Sequence, residues 1–478
     1  MTSFQDLPLE LLVIILECTD DVSTLLDCCL VSRRLGAIAQ SVLYQSFVKI
    51  LPSSPHCLRY PLPLLTRTIV SCPRLSANVR DLDIDASVEH GPEYSPEGDK
   101  PRDSVNTSGT DTTSGLLGLY SGDIKLFIKN LQGFPTVPRD AWIRSLHLEP
   151  SVLTLLLLLH MPNLRRLVIS VDKHSLRSLK SIIQLSHGGV PGLPFMSNLR
   201  RLHLRCPGAD QENQVVLGDI LSLLSFPSLE QLWIDRCSND DADESLLPQL
   251  FNIPPGTLSL SMISFRQSCV NAASIQMLIR ACTTLKSFRY GIGTSNGTQF
   301  NPEELYSALY DQKNNLEEVR VNLSSMEHDF APAWENRGFG SFYEFDKLKI
   351  LGVDQPFLKR LPDFPGSLQH LLLQCCQSPV FKTISHVAAQ STHGILPLLT
   401  EVSLFGDVLY PGRMLDLPSR GATDVLFDAS CQKLSGLFSH TAVDLQFEGD
   451  LLERTADDYD FAFTYGIPGA FWPLIYLL

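Results

Sequence analysis

No two of the twelve cysteines in this 478-residue chain form a C-x-x-C, and none pairs with histidine at the spacing of a metal site. Four stand as adjacent pairs, Cys28-Cys29 and Cys375-Cys376, and many lie in apolar runs, where a thiol acts as a small hydrophobe. This usage excludes a disulfide framework and a structural zinc, and it fits a reducing compartment. Basic residues are in deficit, 38 against 52 acidic ones, for a net charge of -14. Such a surface repels polyanions, so neither nucleic acid nor an anionic membrane is expected as a partner. Long apolar runs are missing too. The longest candidate, 461–478, is interrupted by Gly466, Pro468, Gly469 and Pro473 and falls short of the roughly 20 residues of a spanning helix, so it reads as an end cap. The N-terminus lacks a basic start and carries Asp6, Glu10 and Glu17 around its apolar stretch, which argues against a secretory signal. A cytoplasmic or nuclear location is expected.

Catalytic signatures are equally scarce. There is no H-E-x-x-H and no Walker loop, and no nucleophile motif, catalytic residue, metal or cofactor is expected. Gly291-x-Gly293-x-x-x-Gly297 follows a strand-like stretch and precedes a helix, as a phosphate loop does. Its spacing is wrong for a dinucleotide fingerprint, and the turn of a parallel repeat needs the same glycines. His160, His174 and His203 lie near one another in sequence with no acid or nucleophile expected around them.

What the chain does have is the balance of a folded protein, 44% hydrophobic and 19% charged. Residues 1–48 read as three helical segments. Pro8 opens the first at its first helical position, Asp20, Asp21 and Ser23 can cap the second, and the third runs from Arg33 to Phe47. Leu9 and the run Leu11–Leu16 make the first helix apolar around nearly its whole circumference. A unit below about 70 residues rarely stabilises itself with one core, so the surplus apolar surface calls for a partner or the next domain.

Leu7-Pro8-x-Glu10-Leu11-Leu12-x-x-Ile15, then Leu25-Leu26, then Leu30-Val31-Ser32-Arg33-Arg34-Leu35, then Leu43-Tyr44 resembles the F-box over the first tenth of the chain. Leu35 stands where many members carry tryptophan, and Ser32 where cysteine is common. The resemblance implies that these helices dock on a Skp-type adaptor of a cullin-RING ubiquitin ligase. The rest of the chain would then select a client protein, with bond chemistry left to other subunits. The docking residues it implies are Leu7, Pro8, Leu11, Leu12, Ile15, Leu26, Val31 and Leu35.

Residues 49–85 read as a proline-rich connector and a first repeat, and 86–114, with almost no large apolar residue, as a disordered insertion. Residues 115–478 read as a repeat solenoid with a C-terminal cap, and a short frame, apolar-x-x-apolar-x-apolar, recurs from the first repeat onward. Its copies are Val79/Leu82/Ile84, Ile143/Leu146/Leu148, Leu164/Leu167/Ile169, Leu199/Leu202/Leu204, Leu229/Leu232/Ile234, Leu285/Phe288/Tyr290, Leu316/Val319/Val321, Leu348/Leu351/Val353, Leu368/Leu371/Leu373 and Leu399/Val402/Leu404, with a weaker one at Leu258/Leu260/Met262. Helical stretches at 124–131, 152–159, 215–224, 275–279, 302–310 and 425–434 separate them. Such alternation predicts an α/β fold, an irregular leucine-rich-repeat solenoid with a curved parallel sheet and outer helices.

Strand alternation sends the residues between the apolar ones to the open face. There an acidic edge, Asp81, Asp83 and Asp85, gives way to Arg166, Arg201, Arg205, Arg289 and Arg320, with His203 and Trp233 among them. Arginine and tryptophan carry much interface energy, so this wall is the expected client-binding surface, suited to an acidic or phosphorylated segment. A second reading keeps the repeats but makes the chain a scaffold outside the ubiquitin pathway, its first helices a mere cap.

Overall fold

The computed structural model describes residues 7–19, 21–50, 61–85, 121–131, 150–171, 176, 196–206, 214–224, 226–239, 253–293, 300–323, 338–358, 363–376, 380–405 and 432–448. The expected copy at Ile143/Leu146/Leu148, the insertion at 86–114 and the C-terminal cap at 461–478 lie outside them. The chain forms two compact units, residues 1–252 with 258–260, and residues 253–257 with 261–478.

The first unit opens with helices α1 (Leu9–Glu17), α2 (Val22–Val31) and α3 (Arg33–Leu43). Pro8 stands one residue before α1 with extended backbone, where a missing N–H costs nothing. The Asp21 carboxylate caps α2 by accepting from Ser23 N at 3.1 Å and Thr24 N at 2.9 Å. Hydrogen bonds from the Thr24 and Ser23 hydroxyls and amides hold it down at about 2. Ser32, extended, ends α2 and caps α3 through Leu35 N at 3.2 Å, so one residue turns the chain between two helices. The third helix stops at Leu43, short of the expected Phe47. Tyr44 N and Gln45 N bond back to Gln40 O and Val42 O, and the chain then enters strand β1 (Ser46–Ile50). Phe47 pairs with Leu82 of β2 (Asp81–Asp85), where strand pairing outweighs helix propagation.

Helix α4 (Pro61–Ser71) replaces the expected connector, its prolines confined to the first turn, where they remove no helical hydrogen bond. After α5 (Pro73–Ser76) come β2, α6 (Ser121–Leu131), α7 (Pro150–Leu159), β3 (Arg166–Ser170) and β4 (Arg201–Arg205). The minor strand β5 (Val215–Val216) precedes α8 (Leu217–Leu224), β6 (Gln231–Asp235) and β7 (Cys237–Ser238), so the helix expected from Val215 starts two residues later. Helix α7 packs on α4 and buries Val152, Leu153 and Leu155 to Leu158, as its all-round apolarity requires.

Strands β1, β2, β3, β4 and β6 pair in that order, all parallel. Leu82, Leu167, Leu202 and Leu232 face one another in register, as do Ile84, Ile169, Leu204 and Ile234, and all eight are buried. Fully burying each such side chain is worth about 2 kcal/mol. The residue before each frame adds a cross-link: Asn163 donates to Ala77 O at 2.7 Å, and Asn198 to Pro162 O at 3.1 Å.

In the second unit β8 (Met262–Ser268), β9 (Ser287–Ile292), β10 (Glu318–Asn322), β11 (Ile350–Asp354), β12 (His370–Gln374), β13 (Glu401–Phe405) and β14 (Asp444–Glu448) pair in chain order, again parallel. Helices α9 (Ala272–Ala281), α10 (Pro302–Tyr310) and α11 (Val380–Thr392) fall between them. Helix α10 has the expected bounds because Asn301 accepts from Glu303 N and Pro302 sits at the first turn. The weak copy is corrected, its first residue by two positions and the other two by three. Ile263 pairs with Phe288 and Phe265 with Tyr290, so the frame is Leu260/Ile263/Phe265, all buried, and the alternation through Leu258 and Met262 is a coincidence of spacing. A further copy went unread because alanine opens it, Ala442/Leu445/Phe447, whose last two residues pair with Val402 and Leu404. Of the helix expected at 425–434, residues 432–434 are described and helical.

Candidate functional site: an apolar helix face and the polar wall of the strands

The N-terminal helices close a small core of Leu12, Leu16, Leu25, Leu35, Ile38 and Ala39. Leu12 and Leu35, expected to dock a partner, are therefore 0% and 3% exposed and hold the module together instead. A short helix can send only one stripe inward, and every fourth residue from Leu12 falls on it. Leu7 is half-buried against this core, with its carbonyl accepting from Arg34 Nη2 at 2.8 Å, and Pro8 is exposed. Leu11, Ile15, Leu26 and Val31 project outward as expected. Leu9, Ile14 and Leu30 join them unforeseen, Leu30 at 86% exposure. Seven large apolar side chains on two neighbouring helices thus meet solvent in the chain alone.

On the polar wall of the first unit, Arg205 grips Asp83 with both guanidinium nitrogens, at 3.2 and 2.9 Å, reaching over the intervening strand β3. His203 Nε2 lies 3.0 Å from Asp235 Oδ2, so an acid does frame this histidine, contrary to expectation. Trp233 is only 7% exposed, and its Nε1 has no hydrogen-bond partner among the described residues. The expected aromatic anchor is thus packed away, 6.4 Å from the His203 ring. In the second unit Arg289 donates to Glu318 through Nε at 3.1 Å and Nη2 at 3.0 Å, and Ser287 Oγ donates to the same carboxylate at 2.8 Å. Arg320 Nε sits 2.6 Å from it as an ion pair. Burial pushes the Glu318 carboxyl up, but the two guanidinium groups and these hydrogen bonds outweigh it and hold the group below the ordinary glutamate value. Arg205, Arg289 and Arg320 are committed to carboxylates of the chain itself. A row of arginines all open to a ligand is corrected to this extent, because the sheet sets Asp83 two strands from Arg205, Glu318 on the strand next to Arg289, and the same Glu318 two residues from Arg320, each within reach.

Arg201 remains exposed, and Arg166 partly so. Register adds three arginines that the frame-by-frame reading passed over. Arg165 N bonds to Arg80 O at 2.7 Å and Arg200 N to Arg165 O at 2.8 Å, so Arg80, Arg165 and Arg200 form a column along the entry ends of β2, β3 and β4. The signal was present as Leu164-Arg165-Arg166-Leu167 and Leu199-Arg200-Arg201-Leu202. Arg80 and Arg165 line a cleft of about 450 Å³ whose other walls include Glu17 of α1, Ser41 of α3 and Gln45. Gln45 Nε2 donates to Glu17 Oε1 at 3.0 Å. Burial pushes the Asp81 carboxyl up, against the pull of Arg166, Arg201, Arg80 and Arg165.

Of the two described glycines in the Gly291-x-Gly293-x-x-x-Gly297 motif, Gly293 has a packing reason, whereas a Cβ on Gly291 would meet nothing nearer than Gln267 N at 3.7 Å. A Cβ on Gly293 would stand 2.4 Å from Gln267 O, so the chain leaving β9 passes too close to the bulged end of β8 for any side chain. Residues 293–297 also spell G-x-S-x-G, an overlooked match to the nucleophile motif, but its serine, Ser295, lies outside the described residues. His160 Nδ1 contacts Leu156 O at 2.8 Å, and burial lowers its pKa. His174 is outside the described residues. Among the described residues no group of His, Cys, Asp or Glu could hold a metal ion, all ten cysteines are free thiols, and no helix is long and apolar enough to cross a membrane. Comparison with known protein families gives no match, and comparison with characterised proteins finds no relative.

Proposed function

We propose that this chain is a non-catalytic substrate adaptor, an F-box protein whose first three helices dock on a Skp-type adaptor of a cullin-RING ubiquitin ligase and whose leucine-rich repeats hold a client. The observation that carries this reading is the exposure of Leu9, Leu11, Ile14, Ile15, Leu26, Leu30 and Val31 on a module whose own core needs only six other residues. Isolated surface leucines are ordinary, but seven large apolar side chains exposed on two short helices of one small module are the kind of apolar surface that marks an interaction site. The parallel strands, each adding one buried frame, suit a repeat array offering an extended polar wall.

The test is co-expression of the full chain with a Skp-type adaptor. Leu11→Asp with Leu30→Asp should abolish the complex and leave the circular dichroism spectrum unchanged, because both side chains are already in water. Leu12→Asp should instead unfold the helical module, since a carboxylate would enter its core. A wild-type chain that forms no complex, or a double variant that binds undiminished, would return the molecule to the scaffold reading.

A further inference from the structure

We infer that the cleft of about 450 Å³ between the first helices and the entry ends of β2, β3 and β4 is a binding site for the free C-terminus of another polypeptide, whose carboxylate is received by Arg80 and Arg165. The adaptor reading makes that polypeptide the client, and the inference rests on that reading for the client's role alone. The site itself stands on three observations.

The first is charge. Glu17, Arg80 and Arg165 are the charged side chains of the lining, so two guanidinium groups face one carboxylate and leave a surplus of one positive charge. Both arginines are exposed and make no ion pair among the described residues, whereas Glu17 already accepts from Gln45 Nε2 at 3.0 Å. Asp81 is not in the lining, and it lies in the field of Arg166 and Arg201 ahead of Arg80 and Arg165. One carboxylate matches this surplus, whereas a phosphate monoester, at about -1.5 to -2, exceeds it. The second is geometry. Arg165 N bonds to Arg80 O at 2.7 Å, so the two guanidinium groups start from neighbouring strand entries, about 4.8 Å apart along the sheet. Two planar donor forks so placed suit the two oxygens of one carboxylate.

The third is the mixture of donors and acceptors around them. Asn163 and Asn198 donate through Nδ2 to Ala77 O and Pro162 O, at 2.7 and 3.1 Å, which leaves the Oδ1 of each to accept. Asn78 and Ser41 make no side-chain hydrogen bond among the described residues and add donors as well as acceptors. An inorganic anion brings acceptors almost alone and would leave these amide oxygens unmatched. A chain end brings N–H and C=O groups beside its carboxylate and can use both kinds. A free amino acid is disfavoured for another reason, because its ammonium cancels its own carboxylate and leaves the surplus standing. The volume is that of a site enclosing a small ligand, which suits a terminus entering from one side better than a segment that must enter and leave.

The probe is an array of short peptides varied at their last two positions and attached through their N-termini, each present with a free C-terminal carboxylate and as the C-terminal amide. It is exposed to the full-length chain, and the best-retained sequence is then titrated in solution by fluorescence anisotropy. We expect a subset of the free-carboxylate peptides to bind in a salt-sensitive manner and their amides not to bind. Arg80→Gln with Arg165→Gln should weaken binding roughly a hundredfold, about tenfold for each lost charge-assisted contact, and keep the melting temperature, since both side chains are exposed. Glu17→Gln raises the surplus to two charges, so it should tighten the peptide and turn inorganic phosphate from a poor competitor into an effective one. No binding by the wild type, equal binding of the amides, or undiminished binding by the double arginine variant overturns the site. Arginine-dependent binding of amides that carry an internal glutamate, or equal competition by acetate, overturns its assignment to a chain end. Adaptor capture on the same preparations separates the two proposals. Peptide binding kept with no adaptor complex sinks the ligase reading and leaves the site standing, and the reverse pattern sinks the site alone.

Discussion

Glu318 shows how much one residue can hold. It receives Arg289 and Ser287 through hydrogen bonds and Arg320 as an ion pair, and it is largely shielded from water. Removing one member of such a set leaves the others buried and uncompensated, so Glu318→Gln should cost about 3 kcal/mol near neutral pH. The pH dependence follows from the direction of the shift. The folded-state value lies below the ordinary 4.5, so the carboxylate's contribution is complete above that value and is lost as the pH falls through the lowered one. Urea midpoints measured at about pH 7 and about pH 3 should therefore show a wide gap between wild type and variant at the first and a narrower one at the second. A gap that widens in acid would mean that Glu318 does not stabilise the fold as an anion. Residue by residue the same logic separates Leu11 from Leu12: neighbours in sequence, they lie about 100° apart around a helix, one exposed and one buried, and answer to different tests.

At the scale of elements, the helical module depends on how closely α2 and α3 approach. Gly36 lets them touch, since a Cβ there would stand 2.8 Å from Cys29 O, a backbone atom that cannot swing aside. Gly36→Ala should push the helices apart and cost about 1–3 kcal/mol, read as a lower urea midpoint of the helical module. The same change should weaken adaptor capture, because Leu26, Leu30 and Val31 ride on α2. Unaltered capture would mean that the docking face tolerates a shift of α2, and that Leu11 and its neighbours on α1 suffice. Strands behave differently. Each is only five to seven residues long among the main-sheet members and is held by register with two neighbours, so no strand is stable by itself.

At the scale of the whole molecule, a repeat array predicts that the stability of each unit is a sum of neighbouring interfaces, because strands of one unit pair in chain order. Leu371→Ala, in the fully buried middle of β12, should cost about 3 kcal/mol. Hydrogen exchange should then speed up most in β11 and β13, which pair directly with β12, and least in β8, the strand of the same unit farthest from it. Uniform acceleration through that unit would show an all-or-none fold in place of a chain of neighbours. The net charge of -14 acts at this scale too, and the column of Arg80, Arg165 and Arg200 sets positive charge at one edge against it.

The amino-acid sequence by itself determined the inward half of this protein. A five-residue strand shows its buried face as alternate apolar residues, so Leu202/Leu204 or Leu371/Leu373 could be read directly, as could helix α10 from Asn301-Pro302 and the cap of α2 from Asp21. Frames whose first residue is small, such as Ala442/Leu445/Phe447, escaped because the pattern depends on three apolar side chains. What only the tertiary structure decided was the outward half. Whether Arg205 or Arg289 meets a ligand depends on Asp83, two strands away, or on Glu318 of the next strand, and register between distant segments leaves no local periodicity. For the same reason the partition of the oily first helix into Leu12 within and Leu11 without, and the stacking of Arg80, Arg165 and Arg200, were set by packing between elements. Sequence period fixes the faces of each element, and long-range pairing chooses what those faces meet.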